Sequence, residues 1–144
     1  YYALKAAGVD VGMLPSDDYL PSKGNVLVVS ESYLADNSAT VAAFIAALNK
    51  AIKHIADGDV EKEVTMAVQE YSPSFAGQEK LVSEIISEVF LKTLWQSPDT
   101  DAHELGYGNL ESWQKTIDTA AEYKVIPSAF DSGDMVVELP SSIK

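Results

Sequence analysis

The sequence predicts an α/β chain, rich in helix with a few short strands, on three observations. Asn25-Val26-Leu27-Val28-Val29-Ser30 is an unbroken β-branched and leucine run of strand length, closed by Gly24 on one side and by Ser30-Glu31 on the other. Longer segments downstream repeat apolar residues at spacings of three and four, the period of a helix with one covered face. Between them lie short alternating pieces punctuated by glycine and proline. The apolar run lacks polar alternation, which predicts a strand covered on both faces.

In chain order, Tyr1 to Ala7 is helix-compatible and stops at Gly8. Val9 to Leu14 alternates and breaks at Pro15, which reads as a short strand. Ser16 to Lys23 carries two acids, an aromatic and a proline without a period, and is a connector long enough to cross between two lobes. After the apolar run and a brief Glu31 to Ala35 segment, Asp36-Asn37-Ser38 offers oxygens to the free amides of a helix start. The helix that follows has the stripe Val41, Phe44, Ile45, Leu48, Ile52 and Ile55, and Gly58, free to take positive φ, should end it.

Asp59 should cap a third helix carrying Val60, Val64, Ala67, Val68 and Tyr71, stopped ahead of Pro73 because the residue before proline is pushed out of the α region. Gln78 to Gln96 has a wide apolar stripe from Leu81 to Trp95, as expected of a helix with more than one neighbour. Ser97 to Gly108 is a polar, acidic loop, and Asn109 should cap a helix bearing Leu110, Trp113 and Ile117, with Pro127 at or after its stop. In the tail, Met135 to Leu139 is extended in pattern, either an edge strand or a strap along the surface.

Composition narrows the function. The 144 residues are enough for an ordinary domain with a real core. A formal charge of −12 argues against nucleic acid or an anionic membrane surface as the main partner, since both repel it. With no cysteine, thiolate metal sites, disulfides and cysteine nucleophiles are excluded. No apolar run approaches the ~20 residues of a membrane span. The opening Tyr1-Tyr2-Ala3-Leu4-Lys5 has no signal layout and reads as the inside of a longer protein.

Catalytic chemistry has few carriers. Only His54 and His103 are available as bases; His54 sits beside a helix stripe near its C-terminal end, where an imidazolium would meet the negative end of the dipole, and no partner motif surrounds it. Asp99 to Glu104 has the oxygen density of a calcium loop, but glutamate stands at the sixth place, which needs glycine, and Leu110 at the twelfth. Gly106-Tyr107-Gly108 lacks the lysine and the spacing of a phosphate loop. No metal and no cofactor is expected. Aromatics cluster at connectors: Tyr1, Tyr2, Tyr19 and Tyr107, where stacking on a small planar ligand is open to them. Tyr19 suits ligand contact and ordinary surface packing equally, whereas Trp113 lies on a helix stripe and should pack in the core. These residues favour binding over catalysis.

Three stretches then match one family in order: Asp18-Tyr19-Leu20-Pro21, Gly24-Asn25-Val26-Leu27-Val28-Val29, and Asn37 to Ala47 against N-P-E-L-V-x-A-F-L-x-A. A fourth, Gly106 to Asp118, resembles a glycine-aromatic step followed by E-x-W-Q-x-T-I-D. The chain thus resembles the C-terminal part of the ABC-transporter solute-binding proteins of the nitrate, sulfonate, taurine and thiamine-pyrimidine-precursor group. It departs from them in a shorter connector without the usual aromatic pair and in Ser38 where proline is common.

The resemblance implies the C-terminal portion of a two-lobed type II periplasmic binding protein fold. Residues 1–14 would end the second lobe, 15–23 would be the hinge crossing, and 24–144 would be the C-terminal part of the first lobe. It also implies a small-molecule solute held in the interlobe cleft, an ABC permease as partner, no catalysis, and a periplasmic or lipoprotein-anchored extracellular setting. The candidate ligand-binding residues are Tyr19, Asp18, Tyr2 and Tyr1. The alternatives are a pyrimidine-precursor synthase of the same fold or a free-standing α-rich interaction domain.

Overall fold

The computed structural model describes residues 1–15, 23–103 and 105–137, without the side chain of Pro98. Its architecture is helical. α1 (Tyr2–Ala6) is followed by α2 (Glu31–Asp57), α3 (Val60–Tyr71), a 3-10 turn at Pro73–Phe75, and α4 (Glu79–Ile85). α4 continues as a π-helical stretch, Ile86–Leu94; α5 (Pro98–Ala102), α6 (Leu110–Glu122) and a second 3-10 turn (Ser132–Asp134) complete the order. Among the described residues there is no β-strand.

The local stops and starts follow side-chain chemistry. At the end of α1 the Gly8 amide donates to the Lys5 carbonyl (2.9 Å) and the Val9 amide to Leu4 (3.0 Å), with Gly8 at φ 78°. This paired closure of a helix end needs a left-handed residue, which glycine adopts without a Cβ clash. Asp59 caps α3 through the Lys62 amide (3.2 Å) and Asn109 caps α6 through that of Ser112 (3.0 Å). α3 stops at Ser72, ahead of Pro73, and α6 stops at Tyr123, so Pro127 follows its stop.

Several expectations are corrected. Residues 9–14 are irregular. Residues 25–30 form no strand and are open to solvent, Val28 at 85 % exposure, where cover on both faces was expected. A strand exists only with a neighbour to take its amides and carbonyls, and none of the described residues supplies one. A helix does start at the Asp36-Asn37-Ser38 break, where Asn37 is non-helical (φ −133°, ψ 28°), but it is joined across that kink to a shorter helix that was not expected, capped by Ser30 accepting from the Tyr33 amide (3.3 Å). The Asn37 side chain donates back to the Tyr33 carbonyl at 3.1 Å, closing the turn ahead of the kink.

Because the helix runs on through that kink, α2 reaches 27 residues, long and apolar enough by length and composition to cross a membrane, where no such run was expected. Gly58 ends α2 at a negative φ of −103°, not a positive one. Its glycine is needed for another reason: a Cβ there would lie 2.7 Å from the His54 carbonyl oxygen.

The helix expected over 78–96 is present but changes winding. Beyond Ile85 the coil widens, and the Trp95 amide donates five residues back to Phe90 at 2.7 Å. Five residues along an α-helix turn about 140° round the axis, so Phe90 and Trp95 would diverge. The wider coil brings their rings edge to face at 5.1 Å.

The core is thin, consisting among the described residues of Val41, Ala42, Val64, Val68, Leu91 and Ile117. α3 packs on α4, α1 rests on α4, and α2 meets α3. The tail is the strap rather than the strand over its described part. Ser132, 4 % exposed, donates its amide to Gln114 Oε1 (2.8 Å) and its hydroxyl to the Leu110 carbonyl (3.0 Å). Gln114 Nε2 donates in turn to the Phe130 carbonyl (3.0 Å).

Candidate functional site

Of the residues expected at a ligand, Asp18 and Tyr19 lie outside the described residues. Tyr1 and Tyr2 open α1, with their rings edge to face at 5.1 Å, Tyr1 exposed and Tyr2 half-buried. Lys5 Nζ stands 5.6 Å over the Tyr1 ring, one turn along the same helix. That cation occupies a face of Tyr1 that a planar ligand would need. The pair forms an aromatic corner at the start of α1, the helix that rests on α4.

The chain leaving the connector is held more firmly. Lys23, half-buried, donates its ammonium to the Ser112 hydroxyl, and the same nitrogen lies 5.7 Å from the centre of the Trp113 ring. Trp113 was expected in the core; it is half-buried, because α6 turns part of the indole towards Lys23. The next residue, Gly24, runs against the π stretch, where a Cβ would sit 3.1 Å from Leu94 Cδ2 and 3.4 Å from its carbonyl oxygen. Two consecutive residues are thus tied to two different helices.

Beyond that point Leu27, Val28 and Val29 lie over the kinked half of α2 and, with Tyr33, Val41 and Phe44, line a groove of about 210 Å³. Its walls carry no charged side chain, and its volume is below the ~300 Å³ at which small-molecule pockets begin. A larger concavity of about 440 Å³ lies along Asp59, Lys62, Met66 and Gln69, but every lining residue belongs to α3 or its cap, so it has one wall.

The acidic segment expected as a loop from Ser97 to Gly108 instead contains the short helix α5 (Pro98–Ala102), ordered by its own polar atoms. Ser97 and Thr100 form a reciprocal cap on α5, and Asp99 accepts from Asn109 Nδ2 at 3.0 Å. Asn49 of α2 donates to the Leu105 carbonyl at 2.8 Å, and His103 stacks on Tyr107 at 3.9 Å with an interplanar angle of 19°. His54 is exposed and faces Glu63 across the α2–α3 junction at 3.5 Å. Among the described residues no three histidine, aspartate or glutamate side chains converge as metal ligands.

Sequence reasoning placed aromatics at this end of the chain but missed Lys23, Gly24 and Gln114 as the residues that tie it together. Gly24 and Gln114 had a signal, their places in the matching stretches Gly24 to Val29 and Gly106 to Asp118; Lys23 had none.

Compared with known families, residues 1–61 match the model described as NMT1/THI5 like. The matched part covers less than half of the chain and includes α1, the connector, the apolar run and all of α2. Neither the curated proteins nor the solved structures give a match.

Proposed function

We propose that this chain belongs to the solute-binding component of an ABC importer, which captures a small molecule between two lobes and delivers it to a membrane permease. The observation that carries the reading is the NMT1/THI5-like match over residues 1–61. It falls across the proposed end of the second lobe (1–14), the hinge crossing (15–23) and the opening of the first lobe (from 24), and so spans three of the four motifs of the resemblance. On this reading the α1–α4 contact is a contact between lobes. The solute is a thiamine pyrimidine precursor, a sulfonate, nitrate or a related small molecule, no bond is made or broken, and the setting is the periplasm or the outer face of a membrane. On this reading Asp18 and Tyr19 are the residues assigned to solute contact, with Tyr1 and Tyr2 as the next candidates.

The helical structure is compatible with this reading if the run 25–29 acquires its strand partners from chain beyond these residues. Its exposed side chains, Val28 above all, are what such a strand would present before pairing. The test is calorimetric titration of the full gene product with pyrimidine precursors, sulfonates and nitrate. Saturable binding of one class is expected, together with weaker affinity in Tyr19→Ala. Heat-silent titrations throughout would sink the transport reading, and an unchanged dissociation constant in the variant would remove Tyr19 from the site.

A second reading is favoured by the open apolar groove: an α-rich interaction domain that covers Leu27, Val28 and Phe44 with a protein partner. Solute binding that leaves those residues exposed to solvent-borne labelling would exclude it as the main role.

A further inference from the structure

We infer that the strap is exchangeable between copies: α6 is a docking face for residues 128–137 of a second copy of this chain, and here that face is filled in cis. Among the described residues the strap is seated by α6 and by Gly108 just ahead of it. Gln114 holds the Ser132 amide and the Phe130 carbonyl, the Ser132 hydroxyl donates to Leu110, and Val136 covers Gly108. The amide of Gln114 thus reads main-chain groups two residues apart, and one serine and one valine supply the side-chain match. A second copy's strap offers the same groups, so exchange preserves each of these contacts.

The drive for exchange lies in the hinge between α6 and the strap. Lys124 stands at φ 58°, and among the described residues no other residue with a side-chain carbon is at positive φ. A left-handed lysine is strained, and turning the chain back over α6 requires it. Swinging the strap out to another copy lets Lys124 take ordinary helical angles. α6 then winds on towards Val125, because Ile126 precedes Pro127 and is held out of the α region. Tyr123 and Val125 are 66 % and 76 % exposed, so little packing is lost at these residues when the hinge straightens. A short hinge under strain is the local condition that invites exchange. Charge opposes it: two copies of formal charge −12 repel, so exchange should grow with salt.

Complementation between two damaged full-length chains tests the docking face. Gln114→Ala keeps an intact strap and lacks the clamp, whereas Ser132→Pro keeps the clamp and lacks the amide that Gln114 accepts. With the Gln114→Ala chain labelled with nitrogen-15, amide exchange at its Ser132 should slow about tenfold when unlabelled Ser132→Pro is added at ~1 mM in high salt. That concentration is comparable to the one a short hinge supplies in cis. Unchanged exchange at Ser132 overturns the proposal. Should either chain lose its helical circular dichroism, the hinge decides by sedimentation velocity. Lys124→Val and Lys124→Gly lose the same charge, but the β-branched residue is the more strained at positive φ. Lys124→Val should therefore associate about tenfold more tightly than Lys124→Gly, the strain counting twice per dimer. Equal association of the two overturns the exchange. No solute enters either measurement, so its failure leaves the transport reading standing, and failed solute titrations leave the exchange standing.

Discussion

Replacing Gln114 with alanine should release the strap that closes over α6. The side chain serves the strap with both ends of its amide, accepting from the Ser132 amide at 2.8 Å and donating to the Phe130 carbonyl at 3.0 Å; it also donates to Asp118 Oδ1 on its own helix at 2.9 Å. Each neutral bond is worth about 1 kcal/mol net, and the Ser132 amide, in a residue 4 % exposed, would lose its partner at a cost of ~1–3 kcal/mol unless the strap lifts into water. Lifting would also uncover the face of Gly108 against which Val136 packs closely. The expected loss is about 2 kcal/mol, a fall in Tm of roughly 5–10 °C for a chain of this size.

Urea and thermal unfolding followed by circular dichroism measure that loss, with amide exchange at Ser132 as the local readout. A double-mutant cycle with Ser132→Ala adds a check. Once Gln114 is gone the strap is already loose, so removing the hydroxyl bond to the Leu110 carbonyl should cost less than it does alone. A loss below ~0.5 kcal/mol with unchanged exchange at Ser132, and additive single effects, would refute the clamp.

Other outcomes follow from single positions. Lys124 closes α6 at φ 58°, with its amide donating to Ala121 (3.0 Å) and that of Val125 to Ala120 (2.8 Å), so Lys124→Gly should stabilise by ~1 kcal/mol, read as a higher urea midpoint at an unchanged slope. Gly58→Ala should destabilise by about 1–3 kcal/mol because the added Cβ meets the His54 carbonyl backbone; Gly58→Asn should fare no better, since φ there is negative, and an Asn variant as stable as glycine would contradict the structure. The carboxyl of Glu79 is held below its ordinary 4.5 by its own backbone amide and then by that of Gly77, so an NMR titration should give a midpoint below that value. Its contribution to stability is complete above the ordinary carboxylate range and fades as pH falls through the lowered value, an acid-side loss that Glu79→Gln should not show.

Much of the helical framework was legible without coordinates. Asp59, Asn109, Gly8 and Pro73 act within four residues of themselves, through amides that any helix end leaves free, so their effect can be read locally. The buried members of the stripes, Val64, Val68 and Ile117, follow from a period of 3.6 for the same reason. The π stretch was not legible, because nothing in the spacing of Phe90 and Trp95 marks a change of winding. Gly58 was placed correctly for the wrong cause: its position could be read, but the approach of the His54 carbonyl could not.

The sequence by itself determined the ends of α1, the bounds of α3 and α6, the net negative charge and the absence of thiol chemistry, since each depends on neighbours in the chain or on composition alone. Only the tertiary structure decided that residues 27–29 lie over α2 with no strand partner among the described residues, that Lys23 reaches Trp113, that Asn49 holds Leu105, and that Gln114 clamps the strap. The physical reason is the reach of the bonds involved. A helix satisfies its backbone within its own segment, whereas strands and straps need partners from distant positions, and local periodicity carries no record of which distant residue arrives.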